Sequence, residues 1–146
     1  MTIKNWNKLI GEKVNILGSD FIINNLKDDE LKYEASFFDL YTSEKIFDVI
    51  LHKKKEWFDL RCEFHLDTIP LINNQNIRAV LRKKDVMTIH SFINTICRIL
   101  QKNTIITTYF SLIGESQKYN KNKNKLKIVN GSGTYGPHTK GLILKN

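Results

Sequence analysis

The sequence predicts a single α+β domain, in which an antiparallel β-meander at about residues 33–66 packs against a long amphipathic helix at about residues 85–103, with further strands near the C-terminus. Two patterns carry this prediction. Residues 56–66 alternate strictly between apolar and polar side chains, the period of a strand with one buried face. Residues 86–100 instead repeat apolar side chains at helical spacing, the period of a helix with one buried face.

Size and composition fit one globular domain over residues 1–146. Apolar residues make up 41% and charged residues 26% of the chain, close to the globular average. No apolar stretch reaches the ~18 residues of a membrane span, and the first residues lack the apolar core of a signal peptide. We therefore expect a cytoplasmic protein that does not contact membranes. Cys62 and Cys97 lie among apolar residues, so we expect two buried thiols, without a disulfide or a zinc site.

The N-terminal residues predict a short helix followed by a segment of ambiguous type. Thr2 or Asn5 can cap the helix. Three apolar residues then recur at helical spacing: Trp6, Leu9 and Ile10. Residues 14–26 mix apolar residues with turn signals, and this pattern is compatible with either a helix or a strand.

Three strands are predicted at residues 33–41, 46–52 and 56–66. Their separators have the length of hairpin loops, which predicts an antiparallel meander with one buried and one solvated face. The buried face of the third strand carries Phe58, Leu60, Cys62, Phe64 and Leu66. The solvated face carries Asp59, Arg61, Glu63 and His65.

The strongest helix signal begins at Asp85, a good N-cap residue. The apolar stripe that follows consists of Val86, Ile89, Ile93, Ile96, Cys97 and Leu100. Residues 104–112 are β-branched and predict a fourth strand, and residues 126–129 and 141–144 predict two short final strands. The lysine- and asparagine-rich segment at about residues 115–125 is too polar to bury and predicts a flexible loop.

The net charge of +8 has a local source. From residue 116 to the end there are seven lysines and no acidic residue, so residues 1–115 carry a net charge of only +1. Lysine outnumbers arginine by 19 to 4. Because arginine provides the bidentate contacts that read bases and phosphates, this ratio argues against sequence-specific recognition of nucleic acid.

The polar face of the third strand is the first candidate site. Asp48 with Glu63 and His65 imitates the acid, then acid-x-base order of a metal-dependent nuclease, although such sites normally end in lysine. Alternating charges are also what cross-strand pairing favours on a solvated strand face. We adopt this simpler interpretation and expect no catalytic residue and no metal site. His52 and His90 are interpreted as structural, and the lysines beside His52 disfavour its protonated form.

The glycine-rich run at residues 131–140 is the second candidate site. Its backbone could approach a phosphate closely, and His138 could transfer a proton in a metal-free ribonuclease, with His65 or His90 as the second acid or base. The run lacks the spacing of a nucleotide-binding P-loop. A hairpin turn rich in glycine is the simpler interpretation.

Without a convincing catalytic constellation, the chain is most economically a binding module that needs no cofactor. Trp57 lies in line with Asp59, Arg61 and Glu63, and an aromatic anchor amid charges is typical of a specific protein interface. The chain is similar in general character to immunity proteins and inhibitors, which neutralise a toxin or an enzyme by direct contact. Because the chain is basic, we expect the partner protein to have an acidic surface, or to be bound away from its active site.

The alternative is a protein that associates with nucleic acid. Cations and aromatic rings occur together in the basic segment, a mixture that single-stranded nucleic acid can use through stacking and phosphate contact. The candidate contact residues are Lys118, Lys121, Lys123 and Lys125. A solvated loop is the simpler interpretation of such a charge run.

Overall fold

The computed structural model describes residues 3–54, 57–82, 86–106, 109–111, 117–120, 125–129 and 142–143. Its centre is a five-stranded antiparallel meander in which strands two to six pair in chain order. The first six strands are β1 (Ile3–Lys4), β2 (Lys13–Ile16), β3 (Ser19–Asp28), β4 (Lys32–Asp39), β5 (Lys45–Lys53) and β6 (Trp57–His65).

Strands β4 to β6 confirm the predicted meander, and the helices packed on it confirm the α+β class. The register places Phe47 opposite Phe64 and Val49 opposite Cys62, so these side chains share one face. The residues predicted to face the core, Phe58, Leu60, Cys62 and Phe64, are all fully buried. Strand β6 ends at His65, and a 3-10 helix begins at the next residue.

The ambiguous segment at residues 14–26 consists of strands β2 and β3, joined by a tight turn. Leu17 and Gly18 both have positive φ, at 51° and 94°, which matches the right-handed twist of a two-residue hairpin. Asn25 also has a positive φ and lies where the register between β3 and β4 shifts. This irregularity interrupts the two-residue alternation, which explains why the pattern alone did not identify a strand.

The first testable prediction concerns Gly18. A β-carbon at this position would lie 2.6 Å from Nδ2 of Asn74, and the backbone is left-handed. We expect Gly18→Ala to lower the free energy of unfolding by about 2 kcal/mol, through backbone strain and the clash. The matched control is Gly11→Ala, because Gly11 has a φ of 77° but no atom near its β-carbon position. Equal losses in urea titrations of the two variants would contradict a role for the Asn74 contact.

The N-terminal helix is a short 3-10 helix at Trp6–Leu9. Asn5 precedes it in the left-handed region and forms no side-chain cap. Trp6 is anchored by a hydrogen bond of 3.1 Å from its indole nitrogen to the carbonyl of Lys27. The prediction that Ile10 shares the buried face is wrong, because the helix ends at Leu9 and Ile10 is 60% exposed.

Two α-helices follow the meander, α1 (Gln75–Leu81) and α2 (Val86–Asn103). Sequence analysis missed α1, although Asn74 caps it by accepting a hydrogen bond of 3.0 Å from the amide of Ile77. The buried residues of α2 include Ile89, Phe92, Ile93, Ile96, Cys97 and Leu100. Phe92 was absent from the predicted stripe. The predicted cap Asp85 lies outside the described residues.

The core between sheet and helix is built from phenylalanine rings. Phe47 lies at its centre, with ring centroids 4.6 to 5.4 Å from four neighbours. Those neighbours are Phe21, Phe37, Phe64 and Phe92. Cys62 and Cys97 are buried free thiols, and burial raises the pKa of both.

The C-terminal strands extend the sheet beyond β6. The remaining strands are β7 (Ile105–Ile106), β8 (Tyr109–Ser111), β9 (Gln117–Asn120), β10 (Lys125–Val129) and β11 (Leu142–Ile143). The segment predicted as one strand at residues 104–112 contains two short strands, because β7 pairs with β1 in a separate sheet while β8 pairs with β6. No helix in the described part of the chain is both long and apolar enough to cross a membrane.

Candidate functional site

The polar row on β6 is the first sequence-predicted site, and the structure places half of it out of solvent. Asp59 is 5% exposed and Glu63 is 8% exposed, so the prediction of a solvated face is wrong at these two positions. The reason is that β6 is an interior strand. Its second edge pairs with β8 in parallel near Asp59 and with β10 in antiparallel near Glu63, which lies opposite Lys127 in the register.

A buried carboxylate network lies beside this row. Asp48 on β5 is 2% exposed and lies between Ser36 and Glu63 in the register. Its carboxylate accepts a hydrogen bond of 2.6 Å from the Ser36 hydroxyl. Its other oxygen lies 3.4 Å from Nζ of Lys45 and 3.4 Å from Nε2 of His65. These contacts compensate a buried negative charge.

The order of the groups in this network differs from that of a catalytic triad. In a serine-histidine-aspartate triad, the imidazole lies between the hydroxyl and the carboxylate, so that it can take the proton from the nucleophile. Here the carboxylate of Asp48 lies between Ser36 and His65, and Ser36 is only 3% exposed. Within the described residues, no three His, Cys, Asp or Glu side chains are grouped to hold a metal ion.

The second part of the polar row is an ion pair. Nη2 of Arg61 lies 2.8 Å from the carboxylate of Asp59, and its side chain remains 39% exposed. His52 lies opposite Asp59 in the register. Burial lowers the pKa of His52, with Arg61 the next cause. The sequence interpretation attributed this effect to the neighbouring lysines, but their contribution is smaller than that of burial.

The remaining sequence-predicted residues are only partly described. Trp57 is the first residue of β6, and its backbone lies opposite Tyr109. The structure does not describe its side chain. Lys118 lies on β9 and Lys125 on β10. Lys121, Lys123 and the run at residues 131–140, with His138, lie outside the described residues. His90 is half-buried on α2.

Sequence analysis missed an exposed aromatic residue at the end of the sheet. Tyr41 was assigned to a strand, but β4 ends at Asp39 and Tyr41 lies in the following turn, 77% exposed. Oδ1 of Asp39 accepts hydrogen bonds of 2.8 Å from the amides of Tyr41 and Thr42. Aspartate often begins a turn by accepting hydrogen bonds from the amides that follow it, so Asp39 could have placed the start of this turn before Thr42.

The ring of Tyr41 is also held at its far end. Its hydroxyl donates a hydrogen bond of 3.0 Å to Oδ2 of Asp20 on β3. Oδ1 of Asp20 accepts a second bond of 2.9 Å from the side-chain amide of Asn15. These two hydrogen bonds, the Asn15 bond first, lower the pKa of Asp20, and the Asp20 carboxylate raises the pKa of Tyr41. The two turns at this end of the sheet are therefore joined through one tyrosine.

Comparison with protein-family models, with curated proteins and with solved structures finds no match to this chain.

Proposed function

We propose that the protein is a non-enzymatic binding protein that neutralises or regulates a partner protein by direct contact, as immunity proteins and inhibitors do. The observation that carries the proposal is the Tyr41 turn. Tyr41 is 77% exposed, yet both its backbone amide and its hydroxyl form hydrogen bonds. We name this surface, formed by Tyr41, Asp20 and Asp39, the tyrosine turn.

A fixed and exposed tyrosine suits an interface for two physical reasons. Tyrosine is enriched among the few residues that carry most of the binding energy at protein interfaces. A side chain that is already ordered loses little rotamer entropy when a partner covers it, so more of the contact energy contributes to affinity. The hydrogen bonds of Tyr41 to Asp20 and within the turn supply this order before binding.

Charge adds specificity to the tyrosine turn. Residues 12–67, which contain the meander, have 13 acidic and 8 basic side chains, although the whole chain is basic. Asp20 and Asp39 flank the tyrosine, and the hydrogen bonds from Asn15 and Tyr41 lower the pKa of Asp20, which favours its charged form. A partner surface with a lysine or arginine near the ring would complement this arrangement. The acidic partner surface that the net charge of +8 predicts would then contact the basic part of the chain that follows residue 67.

The sequence-predicted contact residues have different places in this proposal. Asp59 and Glu63 are buried, so their contribution to an interface is indirect: they hold neighbouring side chains in position. Arg61 keeps an exposed guanidinium that Asp59 orients, so it can contact a partner directly. Trp57 and the lysines Lys118, Lys121, Lys123 and Lys125 remain candidate contacts, to be tested by substitution.

The second testable prediction is that Tyr41→Ala weakens the partner complex by about 2 kcal/mol or more, roughly thirtyfold in Kd. The protein is immobilised, a partner is captured from the native host and identified by mass spectrometry, and its Kd and activity are then measured with purified components. Leu31→Ala is the matched control, because Leu31 is 75% exposed at the opposite end of the sheet. We expect it to change Kd by less than about threefold.

Two outcomes would contradict the proposed function. Equal affinity of the wild type and Tyr41→Ala would remove the tyrosine turn from the interface. Cleavage of total RNA by the purified protein, resistant to EDTA and lost in His138→Ala, would instead establish the ribonuclease alternative.

A further inference from the structure

A groove on the surface of helix α1 contains two of the four arginines of the chain. Arg78 and Arg82 lie one helical turn apart and border two adjoining hollows of about 390 and 320 Å³. We call this surface the arginine groove. Among the described residues, the lining also includes Pro70 and Leu81 in the larger hollow, and Gln75 and Ala79 in the smaller one.

The two guanidinium groups are available for a ligand. Nε of Arg78 donates a hydrogen bond of 2.9 Å to the carbonyl of Ile72, which fixes the side chain against the loop before the helix. Arg82 is exposed. Among the described residues, the ion pairs involve other side chains, and neither Arg78 nor Arg82 faces a carboxylate within 4 Å.

We propose that the arginine groove binds an acidic peptide segment of the partner protein. Arg78 and Arg82 would each take a carboxylate, for which the planar guanidinium has matching donors. Apolar side chains of the same segment would lie against Pro70 and Leu81. This inference rests on the proposed function, and it names the partner chemistry that complements the basic part of the chain.

The lining of the groove favours a peptide over nucleic acid. Sites for single-stranded nucleic acid combine cations with aromatic rings on which bases stack. Among the described residues, those that line the two hollows include no aromatic side chain. Pro70, Ala79 and Leu81 beside two arginines instead resemble a protein interface, in which apolar contacts are bordered by polar ones.

Helix α1 begins at the same end of the sheet as the tyrosine turn. Strand β6 ends at this edge, and the chain passes through a 3-10 helix at Leu66–Leu71 before α1. The cap residue Asn74 lies beside Gly18 in the β2–β3 turn. Asp20, which holds Tyr41, is on the strand that leaves this turn.

The test uses a fluorescently labelled peptide of about ten residues, composed of glutamate and leucine, titrated with the full chain and read by anisotropy. We expect the peptide to bind and Arg82→Gln to weaken binding by about tenfold, as loss of a charged hydrogen-bonding group does. The matched control is Arg98→Gln, which removes the same charge from an exposed position on α2. We expect it to leave the affinity unchanged. Arg78→Gln, checked for folding by thermal melting, tests the second arginine.

Three results would overturn the inference. The peptide fails to bind, Arg98→Gln weakens binding as much as Arg82→Gln, or an oligothymidylate of equal charge binds more tightly and loses that binding in Arg82→Gln. The last result would make the groove a nucleic-acid site. The titration contains no natural partner, so its failure is distinct from a failure of the Tyr41 capture experiment. Peptide binding that depends on Arg82 supports the groove even if Tyr41→Ala leaves partner capture intact.

Discussion

Phe47→Ala is expected to lower the free energy of unfolding by about 3–5 kcal/mol, the largest loss among the substitutions considered. Phe47 is fully buried, and its ring contacts four other phenylalanine rings from β3, β4, β6 and α2. Its removal takes away the transfer free energy of the ring and leaves a cavity. The rigid neighbouring rings and strands cannot collapse fully into this cavity.

The measurement is urea denaturation followed by far-UV circular dichroism. Phe38→Ala provides the matched control, because Phe38 is adjacent to Phe37 on β4 but points to the opposite face and is half-buried. We expect Phe38→Ala to cost less than half as much, since its environment can relax toward solvent. A Phe47→Ala loss no larger than that of Phe38→Ala would show that the phenylalanine cluster is not the stabilising core.

Asp48→Ala is expected to cost about 3 kcal/mol. The substitution removes the acceptor for the buried Ser36 hydroxyl and leaves Lys45 and His65 without their negative partner. Removing one member of a buried charge network is strongly destabilising, because the groups that remain keep their desolvation cost. Relief of repulsion with Glu63, which lies opposite Asp48, acts in the other direction. We expect the lost interactions to outweigh the relieved repulsion, because three polar groups lose a partner.

Ser36→Ala is the companion variant for this test, since it removes one donor and leaves the carboxylate with Lys45 and His65. We expect it to cost about 1 kcal/mol, the usual net contribution of one hydrogen bond. The same denaturation measurement applies. An Asp48→Ala variant as stable as the wild type would contradict a stabilising role for the buried carboxylate.

The meander and helix α2 were predictable because the hydrophobic patterns that specify them lie within short segments of the sequence. Strict alternation on β6 and the helical stripe on α2 each need only a short window of sequence. Segment 14–26 was ambiguous because Asn25 and the register shift interrupt the alternation. Helix α1 is only seven residues long, and its Asn74 cap lies in an asparagine-rich stretch that equally favours a turn.

The candidate site was less predictable, for a physical reason. The burial of Asp59 and Glu63 depends on β8 and β10, which lie about fifty to sixty residues farther along the chain, and short-range alternation carries no information about such neighbours. The position of the Tyr41 side chain depends on hydrogen bonds to two carboxylates, one on β4 and the other on β3. The arginine groove depends on how the loop before α1 folds back, as the hydrogen bond from Arg78 to the Ile72 carbonyl shows.

The double pairing along the second edge of β6 has a consequence for how the chain folds. Strands β2 to β6 are joined by short hairpin turns, so they can assemble early through contacts of low sequence separation. The edge of β6 that later accepts β8 and β10 is then an unpaired strand edge until residues 109–129 have been synthesised. Such edges invite pairing with other chains, and charged residues along them discourage it. Asp59, Arg61 and Glu63 lie along this edge, and their charges disfavour pairing with other chains before β8 and β10 have formed.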